Sequence, residues 1–122
     1  MALRIGYVGL GNMGVPIFLN LVAHTASSGL PPPCAWNVDQ SRYEELGSAL
    51  GDKGMLCEEL EDVVKRSNVV FTCLLNDTVA ESVYKRMFSY VGKDKIIFVD
   101  QSSLKPKTSS TCLAAAHTLT IK

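Results

Sequence analysis

The 122-residue sequence lacks a block of either charge: twelve Lys and Arg stand against twelve Asp and Glu, for a formal charge of zero. The electrostatic footprint expected of a nucleic-acid or membrane-surface binder is therefore missing, and any anionic ligand has to be held by local geometry. No run of about 18 apolar residues occurs, which argues against a membrane span. The first strand begins almost at once, which argues against a cleaved signal peptide. Cysteine is sparse and irregular: Cys34, Cys57, Cys73 and Cys112 form no Cys-x-x-Cys pair and have no His at zinc spacing, so reduced, mostly buried thiols are predicted and a metal site is not. His24 and His117 stand without an acidic or nucleophilic partner at motif spacing, and neither is a candidate general base. Together these absences predict a soluble intracellular protein, cytoplasmic in the first place with a mitochondrial setting left open.

What the sequence does have is a strand that runs into a glycine loop. Ile5-Gly6-Tyr7-Val8 leads into Gly9-Leu10-Gly11-Asn12-Met13-Gly14, a Gly-x-Gly-x-x-Gly spacing followed by a helical pattern. In a dinucleotide-binding turn the first glycine allows the tight strand-to-helix turn, the second lets the backbone approach a pyrophosphate, and the third lets the helix pack closely. The helix's unpaired N–H groups and positive dipole end then face the phosphates. The same spacing also occurs in glycine-rich connections that bind nothing. Its position directly after a strand is what favours the nucleotide reading.

Beyond the loop, strand and helix patterns alternate. Leu3 to Val8 reads as a strand, and Val15 to about Ala26 as a helix carrying Val15, Phe18, Leu21 and Val22 at helical spacing, with Pro16 tolerated in its first turn. After a polar loop containing Gly29 and Pro31 to Pro33, Cys34 to Val38 reads as a second strand. Ser41 to Leu50 follows as a helix with Tyr43, Leu46 and Leu50 on one face. Met55 to Cys57 reads as a very short strand, and Leu60, Val63 and Val64 mark a short helix. Asn68 to Leu75 is a continuous apolar run of the kind buried centrally in a parallel sheet. Asn76, Asp77 and Thr78 would cap a helix bearing Val79, Val83 and Met87; Lys95 to Val99 supplies another strand, and Thr108 to Ala116 a last helix. With 47% apolar residues in 122, the pattern predicts one α/β domain, a Rossmann-type doubly wound parallel sheet over residues 1–116 with an atypical tail at 117–122. Ligands of such a sheet bind at the carboxyl ends of the strands, which directs attention to the loops starting at Gly9, Asn37, Leu74 and Asp100.

The segments Gly6 to Gly14, Asn20-Leu21, Leu74-Leu75-Asn76-Asp77 and Asp100-Gln101-Ser102-Ser103-Leu104-Lys105-Pro106, in this order, resemble the β-hydroxyacid dehydrogenase family. That family includes 3-hydroxyisobutyrate dehydrogenase and shares its N-terminal domain with 6-phosphogluconate dehydrogenase. The last segment is similar to the family's Asp-x-Ser-Thr/Ser-x-x-Pro signature. The resemblance implies a cofactor loop of Gly9, Leu10, Gly11, Asn12, Met13 and Gly14, with Leu74 and Leu75 as backbone lining. It also implies Ser103 near the nicotinamide ribose and Ser102 at the substrate mouth. A neutral hydroxyl at a strand's carboxyl end suits these roles, although the same serines could instead cap the turn before Pro106.

The cofactor choice rests on the end of the second strand. Aligned on the family's Asn-Arg-Thr/Ser, Asn37 takes the place of the Asn, Val38 that of the phosphate-pairing Arg, and Asp39 that of the hydroxyl residue. Asn37, Val38 and Asp39 would then line the adenosine ribose. Arg42 could replace the missing Arg one turn later, whereas Asp39, unless it serves as a helix cap, would repel a 2′-phosphate. NADP or NAD is expected, the balance tipping slightly to NADP. The resemblance further implies a catalytic lysine and a substrate-binding Ser-Gly-Gly segment beyond these residues; Lys105 and Lys107 do not match the lysine and read as loop charges. No catalytic residue is assigned, and the chain alone is expected to bind cofactor without turning over a small β-hydroxyacid. Its expected partners are the dinucleotide and, in an assembly, a second copy or full-length subunits. The alternative is a non-catalytic nucleotide-sensing or protein-interaction module that keeps the fold.

Overall fold

A computed structural model describes residues 3–74, 77–92, 95–100 and 119–121. Strands and helices alternate: β1 (Ile5–Val8), α1 (Gly14–Ser28), β2 (Cys34–Trp36), α2 (Tyr43–Leu50), β3 (Met55–Leu56), α3 (Leu60–Arg66), β4 (Val69–Thr72), α4 (Asp77–Tyr90), β5 (Ile97–Asp100) and β6 (Leu119–Ile121). The strands form one sheet in the order β3-β2-β1-β4-β5-β6, and every neighbouring pair is parallel. The chain therefore steps outward from β1 to β3, crosses back to β4 on the other side of β1, and steps outward again. β1 and β4 flank the point at which the winding reverses.

The core has two layers. On one face Tyr7, Phe18, Ala35, Leu46 and Leu50 pack α1 and α2 on the sheet; on the other Val8, Trp36, Val63, Val70, Tyr84 and Phe98 pack α3 and α4. β1 is buried along its whole length, as a strand covered on both faces must be, and this explains its unbroken apolar run. In α1 the buried positions are Gly14, Phe18, Val22 and Thr25, a 4-4-3 repeat that turns the expected Val15 and Leu21 to half-buried flanks.

Three expectations are corrected. The apolar run read as a strand from Asn68 to Leu75 pairs only over Val69–Thr72, with Val70 and Thr72 buried and Val69 and Phe71 half-buried. Cys73 and Leu74, which follow it, are not paired strand residues and are among those lining the cavity described below. The second strand stops at Trp36 rather than Val38, and Val38 is 65% exposed. Leu119–Ile121, inside the segment read as an atypical tail, pairs with β5 as a sixth strand. Cys34 and Cys57 are buried free thiols and Cys73 a half-buried one. Cys112, the helix expected at 108–116, Asn76, Lys105, Lys107 and His117 lie outside the described residues. Among the described residues no helix is long and apolar enough to cross a membrane, and no group of His, Cys, Asp and Glu is placed to hold a metal ion.

Candidate functional site

Gly9 sits where β1 ends, at a φ of 107°. The backbone there runs so close to the segment after β4 that a Cβ on Gly9 would lie 2.0 Å from the Cys73 carbonyl oxygen. A Cβ on Gly14 would lie 2.0 Å from the Gly9 carbonyl oxygen, so the first turn of α1 folds back directly onto the loop. At both positions a side chain would collide with backbone atoms.

The loop is stitched to its neighbours by successive donors. The Gly9 N–H donates to the Trp36 carbonyl at 3.0 Å and the Cys73 N–H to Val8 at 2.9 Å, while the Leu10 N–H donates to Asn37 Oδ1 at 2.9 Å. Among the described residues no backbone carbonyl accepts from the N–H groups of Gly11, Asn12 or Met13. Those three amides stand at the positive end of α1, the arrangement that binds an anion.

Across the loop, the end of β2 is held by side chains. Asn37 donates its backbone N–H to the Tyr43 hydroxyl at 2.9 Å and its Nδ2 to the Asp39 carbonyl at 2.7 Å. Tyr43 donates its own proton to the Cys57 carbonyl at 2.8 Å. Asp39 Oδ1 accepts the Ser41 N–H at 3.0 Å, and this hydrogen bond holds the fully exposed carboxyl below its ordinary range. The carboxylate thus caps the turn before α2, but not α2 itself, which begins two residues later at Tyr43. Arg42 is exposed and reaches Glu45 at 3.7 Å, a surface pair too weak to hold the guanidinium against a better anion.

These elements enclose a cavity of about 380 Å³ lined by Gly9, Leu10, Gly11, Asn12, Asn37, Val38, Asp39, Arg42, Tyr43, Leu46, Cys73, Leu74 and Val79. Eight of the residues expected at the site meet there. Met13 and Gly14 are not in the lining; Met13 is 68% exposed and Gly14 is buried. Leu75, Ser102 and Ser103 lie outside the described residues. The sequence reading missed the contributions of Tyr43, Leu46, Cys73 and Val79 to the wall. Their apolar periodicity had placed them in a helix face or a strand, and only their distance of a few residues from Asp39 and Leu74 pointed to the cavity. At the neighbouring carboxyl ends of β4 and β5, the buried Thr72 hydroxyl shares a hydrogen bond of 2.6 Å with Tyr84 and donates to Asp100 Oδ1 at 3.4 Å.

Burial pushes the Tyr43 phenol up to about 12, with the electrostatic influence of Cys57 and Glu58 acting the same way against the favourable Asn37 N–H. Unfolding returns it to about 10. The folded pKa is the higher one, so this contribution to stability is complete below about pH 10 and is lost as pH rises through 12. Urea unfolding across that range should show a falling free energy, less steep in Tyr43→Phe; an identical slope in the variant would contradict the assignment.

A six-stranded parallel sheet in this order, with a glycine loop and a cavity across its reversal point, is a Rossmann-type nucleotide-binding domain. The chain belongs to the family described as the NAD binding domain of 6-phosphogluconate dehydrogenase, which it matches over residues 4–122. It is 24% identical over 110 residues to 2-(hydroxymethyl)glutarate dehydrogenase of Eubacterium barkeri, spanning 88% of this chain but 34% of that enzyme. Among solved structures it resembles Mycobacterium tuberculosis 3-hydroxyisobutyrate dehydrogenase with L-serine (TM-score 0.73, 21% identity, 98% of this chain and 39% of that one). It also resembles a reductive aminase from Aspergillus terreus in complex with NADPH and ethyl levulinate (TM-score 0.70, 16% identity, 98% of this chain and 40% of that one). The chain thus spans about a third to two-fifths of the length of these proteins.

Proposed function

We propose that the chain is the cofactor-binding part of an NAD(P)-dependent oxidoreductase acting on a small β-hydroxyacid. The observation that carries this reading is the cavity, lined at once by the glycine loop, the end of β2 and the segment after β4. The pyrophosphate takes the Gly11, Asn12 and Met13 amides, with Gly9 and Gly14 shaping the loop. Leu10 contributes its backbone wall rather than a donor, because its N–H is already used by Asn37. Asn37, Val38 and Asp39 border the adenosine ribose, Leu74 and Leu75 run beside the cofactor, Ser103 meets the nicotinamide ribose, and Ser102 the substrate. These roles concern cofactor binding, and none of the residues named here is assigned to the hydride-transfer step itself.

NADP is the favoured cofactor. Asp39 is turned back onto Ser41, while Arg42 lines the cavity and pairs, among the described residues, with an exposed Glu45. A guanidinium there pairs with a 2′-phosphate in a charge-assisted hydrogen bond. Thermal-shift titrations with NADPH, NADH and AMP should give saturable stabilisation, about 2.7 kcal/mol at one hundred times Kd. Arg42→Ala should weaken NADPH about tenfold and leave NADH unchanged. Equal effects on both dinucleotides would overturn the NADP preference. A folded wild-type chain stabilised by neither would overturn the cofactor role.

A further inference from the structure

Asn37 is fixed from three sides. Its Oδ1 accepts the Leu10 N–H at 2.9 Å, its Nδ2 donates to the Asp39 carbonyl at 2.7 Å, and its backbone N–H donates to the Tyr43 hydroxyl at 2.9 Å. A flipped amide would oppose donor to donor at Leu10 and acceptor to acceptor at Asp39, so only one orientation satisfies the site. The Tyr43 hydroxyl in turn uses both its functions, accepting from Asn37 and donating to the Cys57 carbonyl at 2.8 Å. A continuous chain of hydrogen bonds therefore runs from the backbone after β3, through the first residue of α2 and the end of β2, to the second residue of the glycine loop.

We infer that Tyr43 is a positioning residue for the phosphate-binding loop, acting through Asn37. The inference rests on the cofactor reading above and deepens it. With the Gly9 and Leu10 N–H groups both engaged, the start of the loop is held in one conformation, which sets where the next three amides stand before an anion arrives. An anion that meets preorganised donors does not have to order them, and that saving appears as affinity. The Tyr43 ring also lines the cavity, so the residue that shapes the adenosine side sets the loop on the pyrophosphate side as well.

The hydroxyl is what the relay requires, so Tyr43→Phe is the informative change. It keeps the ring and strands the half-buried Asn37 N–H and Cys57 carbonyl. Two readouts on the 122-residue chain separate positioning from general loosening: the dissociation constant for NADPH, and hydrogen exchange of the Leu10 amide relative to the Phe98 amide in β5. Tyr43→Phe is expected to weaken NADPH about tenfold, the weight of one hydrogen bond, and to speed Leu10 exchange by a similar factor with Phe98 unchanged. Asn37→Ala should do the same, and the double variant should lose little more than either single one, because both break one network. Unchanged Leu10 exchange in Tyr43→Phe, or an equal acceleration at Phe98, would overturn the inference. A wild-type chain that binds no dinucleotide sinks the cofactor reading instead, and Leu10 exchange, which needs no ligand, still decides whether the relay exists.

Discussion

Replacing Gly9 by alanine should remove about 4–5 kcal/mol of stability, a large share of the roughly 5–15 kcal/mol that holds a domain folded. Two costs combine. A φ of 107° is a backbone conformation that an L side chain occupies only at about 1–3 kcal/mol of strain. The new Cβ would also stand 2.0 Å from the Cys73 carbonyl oxygen and 2.8 Å from its carbon. Those are backbone atoms, so no rotamer change relieves the clash. Relief requires Cys73 to move away from β1, which breaks the 2.9 Å bond from its N–H to Val8 and disturbs the neighbouring 3.0 Å bond from Gly9 to Trp36, each worth about 1 kcal/mol. The damage falls where β1, β2 and β4 converge, so dinucleotide binding should vanish together with stability. Urea unfolding checks the first claim: a loss under about 2 kcal/mol would mean that the loop relaxes into another conformation and does not depend on this glycine.

The result also bears on what the sequence could reveal. The glycine loop was legible because its constraint is local: a strand must end, turn within a few residues and start a helix, and few side chains permit that. The alternation of strand and helix was legible for the same reason, as apolar residues at two different periods. Boundaries failed where one apolar residue serves two purposes. Cys73 and Leu74 continue the hydrophobic run of β4, yet they line the cavity, and nothing in periodicity separates a buried strand residue from one that borders a cavity. Leu119–Ile121 failed in the opposite sense. Three residues with a Thr in the middle carry little signal of their own, and they become a strand through parallel pairing with β5. Tyr43 was read as one member of a helical face. Its hydroxyl depends on Asn37, six residues before it, and on Cys57, fourteen after it, and such a three-way meeting exists only in the fold.

A second large effect should follow from Phe98→Ala, with a different signature. Phe98 is fully buried, and its ring stands 5.2 Å from Phe88 at 84° and 6.1 Å from Tyr84 at 63°, both edge-on arrangements that add to simple burial. Removing a buried phenyl group costs about 3–5 kcal/mol, part lost transfer energy and part the cavity left behind. For a domain of this length that corresponds to a fall in Tm of roughly 10–20 °C. Phe98 lies in the α3 and α4 layer and takes no part in the cavity lining, so the fraction of molecules that fold should bind NADPH with unchanged affinity. Saturating dinucleotide should therefore restore about 2.7 kcal/mol at one hundred times Kd, recovering much of the loss in Phe98→Ala and none of it in Gly9→Ala, whose site is destroyed. Measuring both variants by thermal unfolding with and without NADPH separates the two layers: a fall of under about 5 °C for Phe98→Ala would show that its aromatic neighbours collapse into the space, and equal rescue of both variants would show that Gly9 shapes stability alone and not the site.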